Sequence, residues 1–187
     1  MLVDRLLRQG AMTELVGALS SGRTSVLTLC LRAATRRGGL VALVDVDHAF
    51  DPSSAAAAGV DLRRVLWVRA EGRRRDALKA VDLLARCPGF ALVVLDVGES
   101  PPRLSLGAAF RLRLAVRRSR VAMLIVGARR VVGGAGSLSV QTRRDRLAWA
   151  GSSVRPRRLA GMCTGLQIIR KQGAPGPIET ERVWWTA

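Results

Sequence analysis

Gly17-Ala18-Leu19-Ser20-Ser21-Gly22-Arg23-Thr24 is the stretch that decides the reading of this chain. It follows a short apolar run at 13–16 and opens a segment of helical spacing at 24–35. That is the strand–turn–helix context required by the phosphate-loop pattern G-x-x-x-x-G-K-[ST]. In such a loop, glycines and backbone N–H groups wrap phosphate, the helix N-terminus adds partial positive charge, and the final hydroxyl holds Mg²⁺. Only the lysine is missing. Arg23 stands in its place, and a planar guanidinium is not equivalent to a compact ammonium on a flexible stem. The nucleotide-binding candidates are therefore Gly17, Ser20, Ser21, Gly22, Arg23, Thr24 and Ser25, with Thr24 also associated with Mg²⁺. Nucleotide binding is expected to outlast efficient hydrolysis. A plain Gly-rich turn before a helix is the alternative.

Outward from the loop, further apolar runs at 40–46, 65–68, 90–95 and 121–126 read as strands buried on both faces. Segments at 77–85 and 104–116 have helical spacing, the latter through Leu106, Phe110 and Leu114 at four-residue intervals. Strands alternating with helices predict an α/β fold with a mainly parallel sheet flanked by helices. After Gly134 the pattern changes, and 146–150, 162–170 and 179–185 read as an antiparallel extension. The expected organisation is one domain over 1–187: a short lead-in at 1–11, an α/β phosphate-loop part at 12–134, and a β-rich extension at 135–187. The strand at 90–95 runs into Asp96, the position where phosphate-loop enzymes hold Mg²⁺ through a Walker B aspartate. Asp96 is thus the second Mg-associated candidate, with a strand-end turn residue as the alternative.

Composition narrows the class. Of 187 residues, 49% are hydrophobic and 24% charged, the balance of a folded domain. The apolar runs are too short to span a bilayer, which needs about 20 residues, so no membrane partner is expected. Asp4, Arg5 and Arg8 break the stretch that a signal peptide would need. Cys30, Cys87 and Cys163 show no close metal-ligand spacing and read as reduced thiols of a cytoplasmic protein, with no metal site. His48 is the only histidine, which excludes histidine-pair catalysis; a structural role beside the Asp51-Pro52 turn is expected for it. Asp47 and Asp51 either approach a nucleotide or cap the next helix. Trp184 and Trp185 cannot both point inward from one strand, so one of them is expected at the surface as a docking point.

The net charge of +17 is unevenly spread. Residues 1–99 hold 14 basic and 11 acidic side chains, whereas 100–178 hold 16 basic side chains and the single acid Asp145. A GC-rich genome explains arginine in place of lysine but not the missing acids, so a surface for nucleic acid or an acidic partner is expected. Arg113, Arg117 and Arg120 form one helical stripe, and Arg129 and Arg130 follow the next strand. These five are the DNA-binding candidates, with contacts to phosphate rather than to bases. Arg143, Arg144, Arg155, Arg157 and Arg158 lie in or near later loops. A solvated face is the alternative for each.

Residues 12–22, then Leu40-Val-Ala-Leu-Val-Asp-Val-Asp-His48-Ala-Phe-Asp51-Pro52, then Ala57-Ala-Gly59-Val60-Asp61 resemble the RecA recombinase core in content and order. The likeness runs through Asp96 and, more loosely, to Gly165-Leu-Gln-Ile-Ile-Arg170-Lys171-Gln-Gly-Ala-Pro175. It implies a RecA-like phosphate-loop core with Mg-ATP as candidate cofactor. The chain departs from that family at three working positions. Arg23 replaces the loop lysine, Arg75 stands where the resemblance most simply places the catalytic glutamate, with Glu71 or Asp76 in a shifted register as the alternative, and Gly127-Ala128 replaces a nucleotide-sensing amide. A water-positioning group alone is commonly worth about a hundredfold in rate, so little or no hydrolysis is expected and no residue is assigned as catalytic. The short stretches before the loop and after Trp185 are expected to preclude self-assembled filaments.

An eroded RecA core resembles the ImuA family of bacterial mutagenesis cassettes, as does Ala11-Met-Thr-Glu-Leu-Val-Gly-Ala-Leu-Ser-Ser-Gly22 in particular. That resemblance implies an accessory role in DNA-damage-induced (SOS) translesion synthesis. The implied partners are an ImuB-like inactive Y-family polymerase homologue, an error-prone replicative polymerase, RecA, and DNA on the basic surface. The partner-binding residues are unassigned. Two other readings are a DNA-stimulated ATPase of the recombinase class and a RecA-fold regulator of recombination or cell division.

Overall fold

Strands β2 (Leu40–Asp45), β4 (Phe90–Asp96) and β5 (Ala122–Gly127) are apolar almost throughout because helices cover them from both sides. With β1 (Met12–Val16) they form the centre of one sheet. The computed structural model describes residues 2–99, 103–151, 158–172 and 180–186. Arg155, Arg157, Glu179 and the expected turn at 173–175 lie outside the described residues.

The remaining strands are β3 (Val65–Arg69), β6 (Leu138–Ala150), β7 (Arg158–Lys171) and β8 (Thr180–Thr186). Among the described residues the sheet has the order β3-β2-β4-β5-β1-β6-β7-β8. Pairing is parallel from β3 through β6 and antiparallel between β6, β7 and β8. The fold is therefore mixed α/β with a mainly parallel sheet and antiparallel C-terminal strands.

The helices are α1 (Leu2–Leu6), α2 (Arg23–Arg36), α3 (Pro52–Ala57), α4 (Arg74–Arg86) and α5 (Leu106–Ser119). Alternation along the strands splits the core in two. Leu15, Leu43, Leu92 and Leu124 pack with Leu27 and Leu31 of α2 and Leu6 of α1. Met12, Val44, Leu95 and Met123 pack with Val81 of α4 and Leu112 of α5. Each of these strand side chains is fully buried, a contribution of roughly 1.5–3 kcal/mol apiece. No helix among the described residues is long and apolar enough to cross a membrane.

The structure corrects two expectations and adds to a third. β3 is an edge strand and only half-buried, with Leu66 exposed. Leu106, Phe110 and Leu114 do form one stripe of α5, but it faces outward; the buried stripe is Ala109, Leu112, Ala115 and Val116. Small alanines let the helix approach the sheet closely, and periodicity alone does not tell which apolar stripe is covered. Finally, β6 begins eight residues before the expected 146. Its first part pairs in parallel with β1, Thr13 opposite Leu138 and Val16 opposite Gln141, before the strand runs on into the antiparallel hairpin.

Candidate functional site

β1 delivers the chain to the carboxyl edge of the sheet. There the Gly17 N–H donates to the Gly127 carbonyl at 3.2 Å, the last rung beside β5. The backbone then turns, with Ser21 N–H donating to the Ala18 carbonyl at 3.2 Å. Gly22, at φ 87°, precedes α2 in the left-handed region that favours glycine. No side chain caps α2, so the N–H groups of its first turn have no capping partner. The predicted residues Gly17, Ser20, Ser21, Gly22, Arg23, Thr24 and Ser25 thus form one continuous turn at a helix head.

One flank of this turn is packed against the C-terminal strands. A Cβ on Gly17 would lie 2.0 Å from Thr142 Oγ1 of β6, and one on Gly22 would lie 1.9 Å from Thr164 Oγ1 of β7. Ser21 Oγ is 2.6 Å from Thr142 Oγ1, and Trp185 Nε1 donates to Thr164 Oγ1 at 2.9 Å. On the outer face, the loop, Thr24, Ser25 and Met162 line a hollow of about 150 Å³. That is below the roughly 300–1,000 Å³ of small-molecule sites, although a single phosphate group is much smaller.

Arg23 occupies the inner side of the turn. Its side chain is buried, with Nη1 donating to the Gly17 carbonyl and Nη2 paired with Glu99. The cation that replaces lysine is therefore spent on the loop's own backbone and on a carboxylate from the far side of the site.

Asp96 ends β4 in register with Asp45 of β2. Burial pushes its carboxyl up to about 6, and the nearby Asp45 and Asp47 push the same way. The Gly98 N–H, which donates to Asp96 Oδ1 at 3.0 Å, and Arg23 oppose that rise. Asp45 is fully buried and structural: it accepts from Ala49 N–H, Phe50 N–H and Trp67 Nε1 at 3.1, 3.0 and 3.3 Å. Among the described residues no group of three or more His, Cys, Asp or Glu side chains is arranged to hold a metal ion. Thr24 lies in the first turn of α2 and Asp96 at the end of β4, both at the loop edge of the sheet.

Comparison with known proteins bears on this arrangement. The profile of the RecA N-terminal domain family matches residues 6–107, more than half of the chain. The chain belongs to the RecA N-terminal domain family. Protein RecA of Nostoc punctiforme is 40% identical over 101 residues, 54% of this chain and 28% of that protein. Protein RecA of Chlorobaculum tepidum is 38% identical over 90 residues, 48% of this chain and 26% of that protein. The chain thus spans about a quarter of the length of these curated relatives. The matched stretch carries β1, the loop, α2 and the strands through Asp96. Most of α5, β5 and the antiparallel strands follow it.

Within this RecA-domain chain the predicted basic residues part company. Arg113 and Arg117 line one cavity at the opposite edge of the sheet from the loop. Arg120 ends α5 at φ 60° and is exposed, as is Arg129. Arg130 is held in the fold: Nε pairs with buried Glu14 at 3.2 Å and Nη2 donates to the Gly133 carbonyl at 2.8 Å. Asp51 is the N-cap of α3, accepting from Ser53 and Ser54 N–H at 3.0 and 3.2 Å, which resolves its two readings in favour of capping. His48 stacks on Trp67 at 5.3 Å, a packing role beside that turn. Trp184 is the exposed member of its pair. Arg75 is exposed at the start of α4. Sequence reasoning missed Glu99, Thr142 and Thr164, which shape the loop from 76 residues away or more; no local signal marks them.

Proposed function

We propose that this chain is a RecA-core accessory protein of DNA-damage-induced mutagenesis, a scaffold for DNA and a polymerase-like partner that does not turn over ATP appreciably. The observation that carries the reading is Arg23: its guanidinium lies across the loop, bonded to the Gly17 carbonyl and Glu99. A lysine at this position would reach the terminal phosphates. Glu99 and Gly17 instead hold the Arg23 cation inward, and the resemblance puts Arg75 and Ala128 at the positions of the water-activating and sensing groups.

The exposed ridge of Leu106, Phe110 and Leu114, at 67%, 46% and 49% exposure, supports a partner-binding role, since contiguous exposed apolar surface marks interaction sites. The translesion role and the ImuB-like partner rest on the resemblance of residues 11–22 and on the pattern of lost catalytic groups. Titrating Mg-ATP against the pure protein while following phosphate release tests the reading. Background release supports it. Recombinase-like turnover that Asp96→Asn abolishes overturns it. A pull-down with the ImuB-like protein, both chains folded, tests the partner.

A further inference from the structure

The amino edge of the sheet, opposite the Gly17 loop, carries a cavity of about 500 Å³, within the range typical of ligand sites. The chain reaches it from four directions. α1 and the residues after it supply Arg5 and Arg8, the C-terminal half of α5 supplies Arg113 and Arg117, and the end of β7 supplies Lys171. The starts of β1 and β6 form its floor, through Thr13 and Leu138. Five cations therefore surround one cavity, and among the described residues no carboxylate lines it. Like charges gathered this closely repel one another unless an anion lies between them.

A second observation points the same way. Thr13 lines this cavity and is 1% exposed, and its Oγ1 is the one buried side-chain oxygen or nitrogen among the described residues with no hydrogen-bond partner. An unpartnered buried polar atom is costly and calls for a ligand or water.

We propose that this cavity is a binding site for the phosphodiester backbone of nucleic acid. Its walls offer charge and hydroxyl but no aromatic ring, so there is nothing to stack a base. The site takes phosphates and ignores sequence. Arg5, Arg8, Arg117 and Lys171 are exposed and Arg113 is half-buried, so a strand can lie across the opening with its phosphates inward. The inference rests on the DNA-scaffold reading above and locates its contact surface; Arg5, Arg8 and Lys171 join Arg113 and Arg117 there, whereas Arg130 does not.

Fluorescence anisotropy of a labelled mixed-sequence oligonucleotide with the full chain tests it, at several salt concentrations. Arg117→Glu and Lys171→Glu are each expected to weaken binding roughly tenfold or more, and the neutral Arg117→Gln and Lys171→Gln to lower the salt slope by about 0.7 each. Arg118→Glu, on the same exposed helix but outside the cavity lining, makes the same change in net charge and serves as control. Thermal midpoints of all variants should match the parent.

An equal loss in Arg118→Glu would show diffuse attraction and overturn the site. Inorganic pyrophosphate provides a second arm. If it stabilises the parent but not Lys171→Glu, while oligonucleotide affinity is unchanged, the occupant is a small polyanion and the backbone assignment falls. ATP turnover is read separately, so failure here leaves the scaffold reading standing, and recombinase-like turnover would sink that reading without touching this one.

Discussion

Replacing Asp96 by Asn should stabilise this protein at neutral pH and remove a pH dependence that the parent shows. The folded state lifts the Asp96 carboxyl from 3.8 to about 6, chiefly through burial, so the native chain binds that proton more tightly than the unfolded chain does. Between about pH 4 and pH 6 the folded state therefore holds more protons at this group, and stability falls as pH rises through that window. About two units, at 1.36 kcal/mol each, amount to about 3 kcal/mol of lost stability once both states are ionised. Asn keeps the Oδ1 that accepts from Gly98 N–H and carries no charge to desolvate. Carboxylates remote from this site are common to both proteins, so the difference between their stabilities reports Asp96 together with its coupling to Asp45 and Asp47. Urea denaturation from pH 4 to pH 7.5 should show the variant gaining on the parent by about 3 kcal/mol, with most of the gain between pH 4 and 6. Stability curves that run parallel across that window would refute the claim that Asp96 ionises at a cost in this site.

Gly22→Ala should destabilise by about 2–4 kcal/mol, because it adds a left-handed non-glycine residue and a Cβ 1.9 Å from Thr164 Oγ1; a thermal midpoint lower by roughly 6–12 °C checks it. Glu14→Ala should cost about 3–5 kcal/mol, since it strands the N–H groups of Val131 and Val132, the Ser139 hydroxyl and Arg130 around a buried gap; urea midpoints measure it, and a near-neutral effect would contradict it. Arg23→Lys alone should leave steady-state phosphate release at background if, as the proposed reading holds, the water-activating and sensing groups are also lost at Arg75 and Ala128; recovery of turnover would show that the lysine was the only defect.

The element that decides the fold was legible because everything it needs is contiguous: an apolar run, two glycines five residues apart, and a helix behind them. The strands at 40–46 and 90–95 were legible for a similar reason, since burial on both faces leaves an unbroken apolar run. Legibility failed where partners are distant or where two patterns overlap. Glu14 sits mid-strand and reads as an interruption, yet its partners come from residues 116 to 125 positions away. In β6 Leu138, Ser139, Val140 and Thr142 are all buried, with Gln141 half-buried, so polar side chains break the apolar run that would announce a strand covered on both faces. Arg143, Arg144, Asp145 and Arg146 extend the polar stretch, because there the strand leaves the parallel sheet for a solvated hairpin. In α5 two apolar stripes coexist, and the larger side chains marked the wrong one.

The two edges of the sheet now differ in electrostatic sense, and that difference links the loop to the cavity. At the carboxyl edge Asp45, Asp47 and the inward cation Arg23 all act on Asp96, and Glu99 pairs with Arg23. An incoming phosphate would meet more negative charge than positive there, unless Mg²⁺ or a rearranged Arg23 redressed the balance. At the amino edge five cations line one cavity, with no acid among its described lining residues. A helix head is an anion site only while the surrounding field agrees with its dipole, and here the acids oppose it. On this reading the family's loop persists as architecture, held by Thr142 and Thr164, while the capacity to hold phosphate has moved to the other end of the same strands. The relocation also accounts for the uneven charge along the chain: of the five cavity cations, Arg113, Arg117 and Lys171 come from the acid-poor stretch after residue 99, whereas the acids of the loop edge all precede it.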